Sequence, residues 1–472
     1  MICENQKKKK VIKNVLGIML LWLSACTQQT QEEITQEVID LSEIRDRNSL
    51  IVSIDHNSVD YFIYKGEPMG FQYEILSELG KHLGLKVDIQ IGKSYADNLQ
   101  SLSEGRCDMI VSGLIANIDS SKAANSEMLY QDQKVLIQRK PESWRKMTTE
   151  QVEQVLVRDP EDLNGKMVYT SGWSPLENNA DFIDGRHIKF VTLREIEPEA
   201  LINLVEEGEL DYAACKYSIA RLIMERYPNL DMQTQLGELP IGWVVRPTSS
   251  ELLGEINQWL DNFRKTNKYA VLYKKYHESR TLLFNVNTKY FASRTGVISE
   301  YDDLFKKYSV EIGWDWRLLA SLVCQESKFK PEARSRKGAY GLMQMMPSTL
   351  EFFGIDTTAS PEKHIAAGVK YIKYLDKMLS ETISDTEERI KFVLASYNIG
   401  PGHVMDAQRL AEKYGKDATV WDNNVDSCLL NKADPKYYKD PEVRHGRCKG
   451  KETYAFVVQI MKRYEHYKNI DR

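Results

Sequence analysis

Residues 316–344 read WRLLASLVCQESKFKPEARSRKGAYGLMQ, and one acid, Glu326, stands in apolar company there. At 3.6 residues per turn Leu319, Leu322 and Val323 precede it by seven, four and three positions, so its carboxylate shares a helical face with three aliphatic side chains. Pro331 stops the helix from running on. A carboxyl group among such neighbours loses solvation, its pKa rises, and it holds a proton near neutrality, as a general acid must. The ordinary alternative for a helical Glu is a solvated helix end, since Glu is seldom buried unpaired.

Outward from this stretch the chain reads as helix nearly throughout. Ser299 can cap a helix over 300–312. Pro347 suits the first turn of another, which Gly354 closes. Ser360-Pro361 opens a third, with Ile365, Val369, Ile372 and Leu375 at helical spacing. A fourth covers 387–397, with Ile390, Val393, Leu394 and Tyr397 on one side and Gly400 past its end. Tyr397 and Asn398 therefore emerge at a helix terminus, as Glu326 does, and such ends can converge on a cleft.

Four ordered motifs carry a resemblance. Glu326-Ser327-x-Phe329-x-Pro331-x-Ala333-x-Ser335 is followed by Gly338-Ala339-x-Gly341-Leu342-Met343-Gln344, then by Ala395-Ser396-Tyr397-Asn398-Ile399-Gly400-Pro401-Gly402, then by Glu452-Thr453-Tyr454-Ala455-Phe456-Val457. Together they resemble the goose-lysozyme-like, family-1 lytic transglycosylases, with Ser396 and Ile399 in place of alanines and Phe456 in place of a tyrosine. The resemblance implies Glu326 as catalytic acid and then base, and Ser335 hydrogen-bonded to Glu326 and substrate. It also implies Met343 and Gln344 lining saccharide subsites, and Tyr397 and Asn398 orienting the reacting sugar. Phe456 is expected to remove one polar contact from the cleft. Most glycosidases use a second carboxylate as nucleophile or base, and the resemblance implies a single catalytic Glu.

Towards the amino terminus the pattern changes. From Leu50 to about Ser279 short β-like runs alternate with helical ones, which argues for α/β architecture. Strands are expected at 50–54, 86–91, 109–111, 166–169 and 211–214, and helices at 73–83, 96–104 and 198–207. Gly66 to Glu74, Leu102-Ser103-Glu104-Gly105-Arg106-Cys107-Asp108 and the related LVEEGELD at 204–211 resemble the family-3 periplasmic solute-binding proteins. That implies two lobes about a cleft, with lobe 2 at about 140–243. The arginine that grips a ligand carboxylate in amino-acid binders is missing from 117–122, and Lys216 stands where an aspartate would meet the ligand's ammonium. Tyr61, Tyr64, Tyr169 and Trp173 are candidates to line the cleft for a larger ligand, a cell-wall fragment or peptide, with core packing the commoner fate of any one such ring.

The first residues are a leader. Lys7 to Lys10 precede an apolar run, Val15 to Ala25, that is too short to span a bilayer. It ends in Leu23-Ser24-Ala25-Cys26, which resembles a bacterial lipobox and implies lipidation at Cys26; the alternative is an ordinary signal peptide with an incidental Cys. The polar run from Thr27 to Glu37 is then a tether. The domains expected are a signal at 1–25, a tether at 26–48, a binding-protein-like domain at 49–279, a linker at 280–298 and a lysozyme-like domain at 299–472.

A chain of 472 residues is too long for one ordinary core. Its net charge of −5 supplies no basic surface, which excludes nucleic acid as a partner. Among the seven cysteines, Cys428 and Cys448 are a possible disulfide, a point left open, while Cys107, Cys215 and Cys324 sit in apolar runs as small hydrophobes. No metal-ligand spacing is present and no cofactor is expected.

Leader, binding module and catalytic module in this order resemble the F type of membrane-bound lytic murein transglycosylases. That implies action on peptidoglycan glycan strands between N-acetylmuramic acid and N-acetylglucosamine, a 1,6-anhydro product, and modulation by the first module. It also implies a lipid anchor in the cell envelope, at the outer membrane facing the periplasm. Two rivals stay open: a lysozyme-type muramidase that uses water, and a non-catalytic cell-wall-binding lipoprotein.

Overall fold

A computed structural model describes residues 39–92, 94–111, 120–172, 188–194, 196–279 and 292–470. The leader, Cys26, Trp173, positions 117–119 and residues 280–291 of the expected linker lie outside the described residues.

Leu50, Val52 and Ile54 alternate along β1 (Ser49–Ile54), and all three are shut off from solvent. Around β1 the first lobe adds a hairpin of β2 (Phe62–Tyr64) and β3 (Glu67–Met69), then α1 (Phe71–Leu83), β4 (Lys86–Ile91), α2 (Tyr95–Ser103), β5 (Met109–Val111) and β6 (Ala124–Asn125). The second lobe holds β7 (Tyr130–Arg139), β8 (Met167–Ser171), β9 (Lys189–Leu193), α3 (Pro198–Glu207), β10 (Tyr212–Lys216), β11 (Leu230–Asp231) and β12 (Gln235–Ile241), after which β13 (Val244–Val245) rejoins the first sheet. The sheets run β4-β1-β5-β13-β6 and β11-β7-β10-β8-β9, with β12 also on β7. β1 is parallel to both β4 and β5, so its carboxyl end opens at the point where strand order reverses, the usual ligand position in such sheets.

The crossing to lobe 2 falls earlier than residue 140. β6 belongs to the first sheet, whereas β7 pairs with β10, β11 and β12 of the second, so the chain changes lobes between 125 and 130. The physical reason is the length of β7, whose ten residues form the spine of the second sheet.

The lobes are closed on one another. Lys216 Nζ donates to Asp60 Oδ2 at 2.8 Å, Ser58 N to Glu199 Oε1 at 2.7 Å, and His56 Nδ1 lies 2.8 Å from Glu197 Oε1. The cavity left between them is about 30 Å³, room for about one water, and is bordered by Asp55, Lys134, Thr170 and Lys216. Of the two fates open to the candidate tyrosines, core packing is the one found: Tyr61 is fully buried in the first lobe, Tyr64 packs against the same core and Tyr169 against the core of lobe 2. Aromatic rings bury large apolar areas, and here the cores took them.

The helical region comprises α4 (Asp302–Ser309), α5 (Trp316–Ser327), α6 (Pro347–Phe352), α7 (Pro361–Leu379), α8 (Thr386–Ile399), α9 (Pro401–Lys413), α10 (Asp426–Asn431) and α11 (Gly450–Lys468). α5 packs on α4 and α11, and α8 on α7, α9 and α11. Leu318, Leu319, Leu322 and Val323 of α5 join Val393, Leu394, Val457 and Ile460 in one core. Cys428 and Cys448 are separate free thiols, each buried in that core, so the possible disulfide is not formed. Their burial there is the physical reason they serve as small hydrophobes.

The hairpin of lobe 1 docks on this bundle. Ile63 enters the helical core, Tyr61 Oη lies 2.8 Å from His466 Nδ1, and Tyr467 Oη donates to Gly66 O at 2.7 Å. Gly66, at φ +77°, is the tip: a Cβ there would lie 2.5 Å from Tyr467 Oη and 2.7 Å from Phe329 Cε2. Only glycine satisfies both the conformation and the approach.

Candidate active site

α5 is capped by Asp315, which accepts from Arg317 N at 2.9 Å, and it ends at Lys328 in the left-handed region. Glu326 thus sits in the last turn, between a buried apolar face and solvent. It is half-buried and has no hydrogen-bond or ion-pair partner among the described residues. Burial pushes its carboxyl up to about 8. Among the described residues no cation stands beside it to oppose desolvation, so the protonated form is favoured at neutral pH.

The loop after α5 folds back over this end. Ser335 N donates to Ala339 O and Ser335 Oγ accepts from Ala339 N, both at 2.9 Å. Gly341, at φ +83°, lies so close to His364 that a Cβ would meet Nδ1 at 2.8 Å. Gln344, also at positive φ, donates from Nε2 to Ala333 O and Gly341 O at 2.9 Å each. These bonds set a rigid wall.

The opposite wall is the end of α8. Tyr397 Oη donates to Met343 O at 2.7 Å, and its pKa is held well above the usual phenol range by burial and by the nearby Glu326. Asn398 Oδ1 accepts from Thr453 Oγ1 of α11 at 2.7 Å. The walls enclose a cleft of about 490 Å³, a size suited to a ligand, onto which Glu326, Ser335, Gln344, Tyr397 and Asn398 all open. Among the described residues that line it, Glu326 is the one carboxylate.

Two expectations change. Met343 is fully buried and packs on Gly368, where a Cβ would lie 2.3 Å from its Sδ; its neighbours Met345 and Met346 line the cleft instead. Ser335 uses its oxygen to cap its own loop and makes no bond to Glu326 among the described residues. Phe456 belongs to the core, and the polar link from its segment is made by Thr453. Sequence reading missed Lys337, Thr349 and Tyr371 as lining residues. Tyr371 adjoins Ile372 on a helix read for its core face, so only packing against Tyr397, with ring centroids 5.4 Å apart, marks it.

Residues 50–279 match the family of bacterial extracellular solute-binding proteins, family 3, and residues 303–420 the Transglycosylase SLT domain. A membrane-bound lytic murein transglycosylase F of Vibrio cholerae is 30% identical over 461 residues, covering 95% of this chain and 84% of that protein. The chain belongs to the membrane-bound lytic murein transglycosylase F family. The family's member from Desulfosudis oleivorans is 28% identical over 458 residues, covering 95% of this chain and 96% of its own. The solved structure of holo ArgBP from T. maritima is 24% identical and covers 50% of this chain and 98% of its own, with a TM-score of 0.40. The chain is thus a lytic murein transglycosylase. Among the described residues no helix is long and apolar enough to cross a membrane, and no group of His, Cys, Asp or Glu could hold a metal ion.

Proposed function

We propose that this transglycosylase cleaves the β-1,4 bond between N-acetylmuramic acid and N-acetylglucosamine and closes the muramic 6-hydroxyl onto C1, giving a 1,6-anhydro product. The observation that carries the reading is the geometry of Glu326, its carboxyl raised to about 8 by burial, in a cleft with no second lining carboxylate among the described residues. A hydrolase of the usual kind needs that second acid. Glu326 gives its proton to the leaving oxygen as the C1–O4 bond breaks. The resulting carboxylate then takes the 6-hydroxyl proton as the new C1–O6 bond forms, so protons balance and no water is consumed. Tyr397 and Asn398, held by Met343 O and Thr453, orient the reacting sugar.

The test is mass spectrometry of muropeptides released from peptidoglycan by the wild-type protein and by Glu326→Gln. Products lighter by one water than reducing-end sugars, absent with the variant, are expected. Hydrated products would establish the muramidase instead, and no product from either would leave the binding lipoprotein.

The first module regulates the second in this reading. The docked hairpin supports it, since β2 and β3 belong to lobe 1 yet reach Phe329 and Tyr467 beside the catalytic helix. A cell-wall fragment or peptide that parts the lobes shifts the population of hairpin positions. Cys26 carries the lipid that anchors the protein at the outer membrane facing the periplasm; loss of palmitate labelling in Cys26→Ser would support this assignment.

A further inference from the structure

Large apolar side chains at the surface of this protein are mostly scattered, but Met346 at 43%, Phe352 at 79% and Tyr374 at 56% exposure share one place, where α6 meets α7 beside the cleft. Met346 itself lines the cleft, as does Thr349 one turn later, and Phe352 continues the same row at the next i+3 step. On α7, Tyr371 lines the cleft and Tyr374 follows one turn on, its ring stacked at 13° to that of Tyr371 with centroids 6.4 Å apart. Phe353 closes the gap between the helices, 6.3 Å from Tyr371 and 5.1 Å from Phe352. A continuous run of rings therefore leads from Tyr397, beside Glu326, out to solvent at Phe352 and Tyr374. Exposed aromatics in one contiguous patch mark a binding surface, whereas single ones do not.

We infer that this run is a distal saccharide subsite, on which Phe352 and Tyr374 stack the sugars of a glycan strand whose scissile bond lies at Glu326. The inference rests on the glycan-strand reading of the cleft. The occupant follows from continuity: whatever fills the cleft and is longer than it must pass over these rings. The step from ring to ring is on the scale of one pyranose. A pyranose offers apolar C–H faces with polar edges, and flat rings bound at their faces and open at their edges suit such a polymer. A lipid surface is the competing occupant, and its outcome is included in the test.

The experiment uses the full chain carrying Glu326→Gln, so that strands bind without being cut. Affinity for peptide-free N-acetylglucosamine–N-acetylmuramic strands is measured calorimetrically for disaccharide, tetrasaccharide and octasaccharide, with and without Phe352→Ala or Tyr374→Ala. The expected result is an affinity that rises with length, and a loss in either variant of roughly 3- to 10-fold for the octasaccharide that shrinks for the disaccharide. Phe352→Trp and Tyr374→Phe, which keep a ring, retain the long-strand affinity. Equal loss at every length, or no loss at any, overturns the subsite. Unchanged glycan affinity with lost sedimentation on phosphatidylglycerol-containing vesicles assigns the patch to membrane instead. If no strand binds any of the proteins, the reading of the cleft itself has failed, a result distinct from failure of the subsite alone.

Discussion

Glu326 concentrates two consequences of one arrangement. Its carboxyl, ordinarily near 4.5, stands at about 8 because burial disfavours the charge and no cation answers it. The proposed first step uses the protonated form, so turnover is expected to decline as pH rises through about 8, read from a pH profile of product release from peptidoglycan. Stability has its own sign. A carboxyl whose folded pKa is raised binds more protons folded than unfolded, so its contribution is fully present below about 4.5 and is lost as pH rises through about 8. Glu326→Gln removes that loss. The variant should match wild type in urea melts near pH 4 and exceed it near pH 9 by up to about 5 kcal/mol, while releasing no product. Thr453→Val tests the other wall: it deletes the 2.7 Å bond to Asn398, should cost about 1 kcal/mol in the same melts, and should lower kcat more than it raises KM. The acid and its apolar neighbours were legible in the local spacing. Ser335 and Met343 were not, because the orientation of each is set by a loop whose bonds run to Ala339, Ala333 and Gly341.

Among the elements, the β2–β3 hairpin is the one whose role exceeds its size. It pairs with itself in the first lobe and packs on α5 and α11 of the helical region. Lys328 and Phe329, which end α5 just past Glu326, both hold positive φ, a conformation that ordinary residues keep only when surroundings enforce it. The surroundings here are the ion pair of Lys328 with Glu67 and the contact of Phe329 with Gly66. Gly66→Val places a branched side chain where no Cβ fits. We expect faster amide exchange over α11 and the end of α5, and a single calorimetric transition that separates into two; unchanged exchange would show that the hairpin is dispensable. The stretch from Gly66 to Glu74 stood out in the sequence only as a motif of the binding-protein-like domain. Its partner, some 260 residues or more away, was not visible there.

At the scale of the whole molecule, the two lobes are held by charges of the chain itself. Lys216 and Asp60, at 10% and 1% side-chain exposure, form a pair across the cleft, with Asp55 4.0 Å from the same ammonium. Lys216→Met removes the cation and leaves Asp60 buried without it, a change that costs about 3–5 kcal/mol in such pairs. The lobes should then part, and the radius of gyration from small-angle scattering should increase; an unchanged value would mean that apolar contacts alone close them. Local pattern was enough to determine the order of strands and helices, the change from α/β to helical architecture and the place of Glu326 at the end of an apolar helix face, because period-two and 3.6-residue spacing, caps and glycine stops act within a few residues. The lobe boundary, the burial of Met343, the free state of Cys428 and Cys448, the aromatic run beside the cleft and the docking of Gly66 were decided by tertiary structure alone. Each depends on which distant surface a side chain meets, and spacing along the chain carries no record of that.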